Sequence, residues 1–289
     1  MPIRRAAQSS LAVCVALATL LALSGCGLTD RAEGARGADA EPTPTAAAQP
    51  PGESQTPGGG RPEQRTSTVT LGDVVLEIVT LKAADVRADE DGPGTRTVTL
   101  TLAPGRSARL ALASPGALDV DTDGSITVLD GNDDPVAAIG PPAPPSDTED
   151  EAPRIDVTDV DATHALVEVE PVQPAAGSES PTPTDRTELL PVTFVVGTEA
   201  IESATWGENE GGRSLAVDPT DWARYAGQAG LDLIRTQLVA AEPEADTSTM
   251  GDQLVCHAVG APDKSTWNLE PWRPDVGLIL TATAQCNPV

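Results

Sequence analysis

Aromatic residues are scarce in this chain, and they are unevenly distributed. Phenylalanine, tyrosine and tryptophan together make up 2% of the 289 residues. All four tryptophans and the single tyrosine follow residue 201, whereas Phe194 is the only aromatic residue before it. Hydrophobic packing upstream of residue 201 must therefore rely on valine, leucine, isoleucine and alanine, which bury less area per residue than aromatic side chains.

Basic residues are also few. Against 44 acidic residues the chain has 18 lysines and arginines, and Lys82 and Lys264 are its only lysines. A formal net charge of −26 gives a surface that repels nucleic acid and anionic lipid headgroups. We therefore predict no nucleic-acid partner, and the simplest interpretation of the acidity is a solvated surface.

Motifs of the common hydrolytic and nucleotide-dependent chemistries are missing. The chain contains no nucleophile elbow, no HExxH, no phosphate-binding loop and no Ser-x-x-Lys. We predict no cofactor. Of the two histidines, His164 lies in an alternating pattern typical of an ordinary strand, which leaves His257 as the candidate general base.

A long hydrophobic run is missing too. The most apolar segment, residues 11–23 (LAVCVALATLLAL), has about 13 residues, whereas a membrane span needs about 20. It follows two arginines and ends in LSGC, residues 23–26, and this arrangement resembles the signal peptide and lipobox of bacterial lipoproteins. The resemblance implies that residues 1–25 are removed and that a lipid on Cys26 anchors the protein to the extracytoplasmic face of the cell membrane. A plain secreted protein, cleaved at a small-residue site, is the alternative.

The pattern of the chain changes near residue 69. Residues 26–68 contain almost nothing large and apolar, which predicts a disordered tether. From 69 to 200, alternate apolar residues, many of them β-branched, predict half-buried strands separated by turns. We therefore predict a sandwich-like all-β module over residues 69–200, with flexible acidic, proline-rich loops at 141–153 and 174–185. The alternating segments are TVTLGDVVLEIVTL, TRTVTLTLA, ARLALAS, SITVLD, ALVEVE and LLPVTFVV.

One segment of this module, DVDTDGSITVLD, fits part of a calcium-binding loop. Asp119, Asp121 and Asp123 occupy its first, third and fifth positions, Gly124 the sixth and Asp130 the twelfth. The twelfth position normally has the longer glutamate, and the flanking residues do not suggest helices. A β-hairpin that turns at Asp123-Gly124 explains the same residues without a metal and is the preferred interpretation.

The cysteine count indicates a disulfide near the end of the chain. Of the four cysteines, Cys14 lies in the predicted signal peptide and Cys26 is the predicted lipidation site, which leaves Cys256 and Cys286. Such a pair in an oxidising compartment is usually bonded. A metal site or a reactive thiol is the alternative, although a lone Cys-His dipeptide lacks the spaced ligand pairs of zinc sites.

Residues 202–289 predict a small α+β domain with a compact aromatic core. A strand pair closed by the glycines at 211–212 is followed by residues at near-helical spacing, with Thr220 as the helix N-cap. Gly227 and Gly230 weaken this helix and are placed to split it.

Two further elements are predicted after this helix. A shorter second helix should run from a cap near Ser248 or Thr249 to Gly260. The final segment GLILTATAQC, residues 277–286, should form a strand that ends at the cysteine.

Four motifs in this region resemble one bacterial family. In order they are DPTDWAR, MGDQLVCHA, KSTWNLEPWRPDV and QCNP. They are similar to the domain of unknown function 2599, a family of bacterial lipoproteins and secreted proteins, over residues 205–288. The resemblance implies a shared fold and a shared bridge between Cys256 and Cys286, but it brings no activity.

The segment WNLEPWRP, residues 267–274, combines two tryptophans with two prolines. Because proline fixes φ and restricts the residue before it, we predict a stiff, non-helical corner. Trp267 and Trp272 could roof the core beside the disulfide, with Arg273 over a ring or paired with Glu270. Alternatively, the tryptophans and Arg273 could form an exposed binding surface, because interface centres favour these residue types.

These observations support two functions of different classes. The preferred hypothesis is a lipid-anchored, non-catalytic binding or structural module of the cell envelope, whose ligand is a wall component or another protein. The alternative is a secreted cell-wall hydrolase or toxin-like effector. In that enzyme His257 would be the general base, Asp252 or Glu270 would orient it, and Arg273 or backbone amides would stabilise charge.

Overall fold

The structure is a computed structural model that describes residues 63–81, 84–144, 153–170 and 189–289. The predicted signal peptide, the lipidation site Cys26 and most of the predicted tether lie outside these ranges, as do residues 145–152 of the first proline-rich loop and the whole of the second. No helix within them is long and apolar enough to span a membrane.

Eleven strands form two antiparallel sheets in the first part of the described chain. In chain order they are β1 Gln64–Leu71, β2 Val74–Leu81, β3 Val86–Gly92, β4 Thr95–Leu102, β5 Arg106–Leu112, β6 Ala117–Val120, β7 Ile126–Leu129, β8 Pro135–Ile139, β9 Ile155–Asp161, β10 His164–Val169 and β11 Leu190–Gly197. The five-stranded sheet has the order β1-β2-β5-β10-β9. The six-stranded sheet has the order β3-β4-β11-β8-β7-β6.

The two sheets share one hydrophobic core, to which most strands contribute alternate residues. Strand β2 alternates buried and half-buried positions along its whole length, as a strand with one face on a core must. Phe194 is the only aromatic side chain in this core, which confirms the prediction of a mainly β, sandwich-like module built from small aliphatic residues. The largest fully buried side chains are Leu76, Ile78, Leu100, Leu102, Leu110, Ile126 and Ile139.

Two of the strands that the sequence did not predict share a physical explanation. Strands β3 and β9 lie at sheet edges, carry carboxylates and are largely exposed, so they lack an apolar alternation. Strand β1 is also an edge strand and begins at Gln64, where it pairs with Leu81, rather than at residue 69. Its first residues need no apolar face because hydrogen bonds to β2 hold them, so the sheet includes the last residues of the predicted tether.

The last part of the chain is a small α+β region. Its elements are β12 Ile201–Asn209, β13 Gly212–Pro219, α1 Gly227–Ala241, α2 Ser248–Gly260, β14 Trp267–Leu269 and α3 Leu278–Thr283, with short 3-10 turns at Ala223–Tyr225 and Pro243–Ala245. The three strands pair in the order β12-β13-β14. A second core lies between this sheet and the helices, and its largest side chains are Leu215, Leu233, Ile234, Leu238 and Trp267.

Two sequence predictions for this region need correction. The first helix begins at Gly227 rather than after Thr220, because Gly227 has a φ of 70° and separates the 3-10 turn from α1. Residues 277–286 contain helix α3 instead of a strand. Leu278 and Ile279 are exposed, so the apolar run that suggested a strand does not mark a buried face, and leucine and alanine both favour helix.

Candidate functional site

The aspartates of the calcium-like segment lie on a β-hairpin. Strands β6 and β7 pair antiparallel, and the backbone turns at Gly124 with a φ of 83°. Asp121 accepts a hydrogen bond from the Thr127 hydroxyl at 3.2 Å, whereas Asp130 lies beyond the other end of β7 and accepts one from the Asn132 amide at 2.7 Å. Within the described ranges, no group of three or more His, Cys, Asp or Glu side chains is placed to hold a metal ion.

The turn of this hairpin caps helix α1. Asp123 Oδ2 accepts a hydrogen bond from the Gln228 amide at 2.8 Å, and the Ser125 hydroxyl oxygen accepts one from the Ala229 amide at 3.1 Å. The helix has no side-chain cap of its own, so its free amide groups depend on these two residues. Only glycine fits at residue 227, since a Cβ there would lie 2.3 Å from Asp123 Oδ2. The hairpin therefore fixes α1 against the sandwich, where α1 also packs on β7 and β8.

The carboxylates around this cap differ in their protonation behaviour. Partial burial raises the pKa of Asp123, but hydrogen bonds from Ser125 and the Gln228 amide outweigh it and leave the pKa below its usual value. Burial raises the pKa of Asp121 and of Asp232 on α1, and repulsion from neighbouring aspartates raises both further. Of these three aspartates, only Asp123 has hydrogen bonds that outweigh burial and so favour its charged form over the neutral one.

We expect Asp123→Ala to lower the free energy of unfolding by about 1 kcal/mol, the usual cost of losing a helix cap. A carboxylate whose pKa is lowered on folding stabilises the fold above its unfolded-state pKa, and this contribution is lost as the pH falls through the folded-state pKa. The difference from wild type should therefore be constant above about pH 5 and shrink below about pH 4. Urea denaturation at several pH values measures it.

Thr122→Ala, in the same exposed turn, is the matched control and should leave the stability unchanged. A loss in Asp123→Ala that is the same at pH 3 as at pH 7 would show that the carboxylate charge does not contribute to the cap.

His257, the candidate general base, is enclosed in helix α2 and is 3% exposed. Its Nε2 lies 3.2 Å from the backbone oxygen of Asn268, and its Nδ1 has no hydrogen-bond partner in the described residues. Burial lowers the pKa of His257, the positive charge of Lys264 lowers it further, and the contact with Asn268 opposes both. Neither ring nitrogen meets a carboxylate, so the structure does not bring Asp252 or Glu270 to His257.

Glu270 and Arg273 instead form a buried ion pair. Both side chains are 1% exposed, and Arg273 Nε donates to Glu270 Oε2. Arg273 also donates to the carboxylate of Glu210 and, at 3.2 Å, to the backbone oxygen of Pro288. Asn209 donates to the second oxygen of Glu270 at 3.2 Å. The pair thus joins the tip of the β12–β13 hairpin to the end of the chain.

The side chain of Gln253 holds the backbone of the same corner. It donates to the Glu270 carbonyl oxygen at 3.0 Å and accepts from the Glu270 amide at 2.9 Å. Gln253 is fully buried on α2, so this reciprocal pair fixes the segment after β14 against the helix. The stiff corner predicted for residues 267–274 is therefore held by side-chain hydrogen bonds as well as by its prolines.

The two tryptophans of this corner have different surroundings. Trp267 is completely buried in the second core, whereas Trp272 is 45% exposed. Arg273 lies 4.6 Å from the centre of the Trp272 ring, which stands on the hairpin tip, where a Cβ at Gly212 would come within 2.2 Å of it. Of the three residues predicted as a binding surface, only Trp272 reaches solvent, because Trp267 and Arg273 close the core beneath it.

Sequence reasoning anticipated Arg273 over a tryptophan ring but missed the other two arginine–tryptophan pairs of this region. Three of the four arginines after residue 201 lie over a tryptophan: Arg213 on Trp206, Arg224 on Trp267, and Arg273 on Trp272. The signal was the coincidence of all four tryptophans with so few arginines. Arg224 has a further role, because its guanidinium binds the backbone oxygens of Pro219, Pro262, Lys264 and Ser265 and the carboxylate of Asp218.

The predicted disulfide is present. Cys256 on α2 is bonded to Cys286, which follows α3, with a sequence separation of 30. The bond therefore attaches the last helix to the second one.

The described chain is thus a β-sandwich joined to a small disulfide-bonded α+β region. Residues 201–289 match the model of the family described as a protein of unknown function (DUF2599), which confirms the resemblance. Uncharacterised proteins of Mycobacterium bovis and of two Mycobacterium tuberculosis strains are each 39% identical to the chain over 95 residues. That match covers 30% of this chain, which spans 62% of the length of these relatives. No solved structure is significantly similar to the chain.

Proposed function

We propose that this protein is a non-catalytic binding or structural module of the cell envelope, held outside the membrane by a lipid on Cys26. The absence of catalysis is proposed because the candidate catalytic side chains His257, Glu270 and Arg273 are buried in the core and bonded to other groups there. A general base must reach the proton that it abstracts, and His257 faces a backbone oxygen in the interior. Glu270 and Arg273 are engaged with each other and hold the chain end.

The proposed location rests on the lipobox-like LSGC segment and on the disulfide. Bonds between cysteines persist in oxidising compartments and are rare in the cytosol. Cys256 and Cys286 are both nearly buried, so their bond is a structural one within the α+β region.

The proposed ligand is a wall component or another protein, bound at the tip of the β12–β13 hairpin. Trp272 presents part of a rigid ring there, and Arg273 and Gly212 fix its position from below. A tryptophan that is held in place in this way loses little entropy on binding, which is why such residues are frequent at interface centres.

The hydrolase alternative is favoured by one observation. His257 Nδ1 is unpaired within the described part of the chain, and the lowered pKa keeps the imidazole neutral, as a general base requires. A substrate could use this nitrogen only after an opening of the region around α2.

Sedimentation with isolated bacterial cell walls tests both functions. The purified chain should sediment with the walls without releasing soluble fragments, and Trp272→Ala should reduce the bound fraction several-fold. Tyr225→Ala, which removes another exposed aromatic ring of the same region, is the matched control and should bind normally. Release of wall fragments that is lost in a folded His257→Ala variant would establish the hydrolase instead. If the chain neither sediments with the walls nor releases fragments from them, a wall ligand is contradicted.

A further inference from the structure

An aliphatic groove lies between helices α2 and α3. Its volume of about 540 Å³ is within the range of roughly 300–1,000 Å³ that is typical of small-molecule sites. No aromatic side chain lines it. Its walls include Val255, Val259, Leu278, Ala282 and the disulfide between Cys256 and Cys286.

The rim of this groove exposes large aliphatic side chains. Val259 is 79% exposed, and Ile279, next to the groove residue Leu278, is 81% exposed. Helix α3 buries only Thr281, so it covers little of the region beneath it. Contiguous exposed apolar side chains of this kind mark binding sites in soluble proteins.

The only charged side chain that lines the groove is a lysine. Lys264 is one of two lysines in a chain of net charge −26, and its ammonium makes no ion pair with any described residue. The backbone at this lysine is held in place, because Arg224 binds the Lys264 backbone oxygen at 2.6 Å and that of Ser265 at 2.9 Å. A single cation at the edge of an aliphatic groove is complementary to a molecule with one acyl chain and one negative headgroup.

We propose that the groove binds a single-chain anionic amphiphile, with the acyl chain between α2 and α3 and the headgroup on Lys264. This inference rests on the proposed function only in assuming that the α+β region binds rather than catalyses. A protein ligand fits less well, because its binding centres favour tryptophan, tyrosine and arginine, and the groove has none of these. An anionic bilayer fits less well too, because its many headgroups would face a chain of net charge −26, whereas a single headgroup can contact Lys264 alone.

The acyl chain should determine the affinity. Each methylene that enters the groove should tighten binding about fourfold, until the groove is filled. Calorimetry with octanoate, dodecanoate and hexadecanoate on the purified chain measures this dependence, and it requires no cell wall. Its outcome is therefore independent of the sedimentation experiment. Hexadecanoate and lysophosphatidate, compared at equal chain length, distinguish a free fatty acid from a lipid headgroup as the source of the amphiphile.

Variants at the headgroup end and in the groove give separate readouts. Lys264→Met should weaken hexadecanoate binding about fivefold, the value of a surface ion pair, whereas Lys264→Arg should retain it. Hexadecanol, which has no charge, should bind both variants equally. Ala282 is exposed in the groove, so Ala282→Trp should fill the groove without a folding cost and abolish binding. Thr283→Trp, one residue further and outside the groove, should bind normally.

Three results would overturn the proposal. The first is an affinity that does not depend on chain length, and the second is hexadecanoate binding that survives Ala282→Trp. The third is that the chain binds zwitterionic phosphatidylcholine vesicles, or forms a dimer, and that Ile279→Asp abolishes this binding or this dimer. Ile279 does not line the groove, so either form of the third result would assign the exposed aliphatic side chains to a bilayer or to a second copy of the chain.

Discussion

Arg273→Met should lower the free energy of unfolding by about 3–5 kcal/mol, because it leaves Glu270 charged and buried without its cation. Glu270 would retain one hydrogen bond from Asn209, which does not neutralise the carboxylate. The substitution also frees the Pro288 carbonyl oxygen, so the chain end should loosen at the same time. Urea denaturation, followed by tryptophan fluorescence, measures the loss.

Two comparisons isolate the buried pair. Arg213→Met removes an arginine that also lies over a tryptophan and pairs with a glutamate, but at an exposed position, and it should change the stability far less. The double variant Arg273→Met, Glu270→Leu removes both charges and should be more stable than Arg273→Met alone. Equal losses in Arg273→Met and Arg213→Met would show that burial gives this pair no special importance.

The sequence predicted the elements in which apolar residues mark a buried face. Strands β2 and β4 place apolar residues on alternate positions, and the buried face follows directly from that period. The edge strands β3 and β9 could not be found in this way, because hydrogen bonds to a neighbouring strand hold them and no apolar face is required. Helix α3 was predicted as a strand for the opposite reason, because its apolar residues are exposed and do not mark a buried face.

The calcium-like segment shows why the candidate sites were harder to interpret than the fold. Closely spaced aspartates with a glycine suit a cation, a tight turn or a helix N-terminus equally well, because each of these needs carboxylate oxygens near a sharp bend. The contact that decides between them is the hydrogen bond from the Gln228 amide to Asp123, and these two residues are 105 positions apart in the chain. A single sequence has no signal for that contact, whereas the pairing of Cys256 with Cys286 followed from the predicted compartment.

The disulfide-free variant Cys256→Ser, Cys286→Ser should be less stable by about 3.6 kcal/mol at 25 °C, because a closed loop of this length restricts the unfolded chain. The sequence separation of 30 residues sets that value. The folded state should change too, since Thr281 is the only residue of α3 that is buried and the bond attaches the segment after α3 to α2. Hydrogen exchange should therefore become fast in α3 while the sandwich strands remain protected.

Reduction of the wild-type protein under native conditions provides the control for the serine substitutions. The reduced protein and the double variant should unfold at the same urea concentration, because both lack the same cross-link. Their binding of hexadecanoate should fall together as well, since the groove loses one wall when α3 separates from α2. Fast exchange in α3 with unchanged hexadecanoate binding would place the amphiphile elsewhere, and a reduced protein as stable as the oxidised one would mean that packing alone holds the chain end.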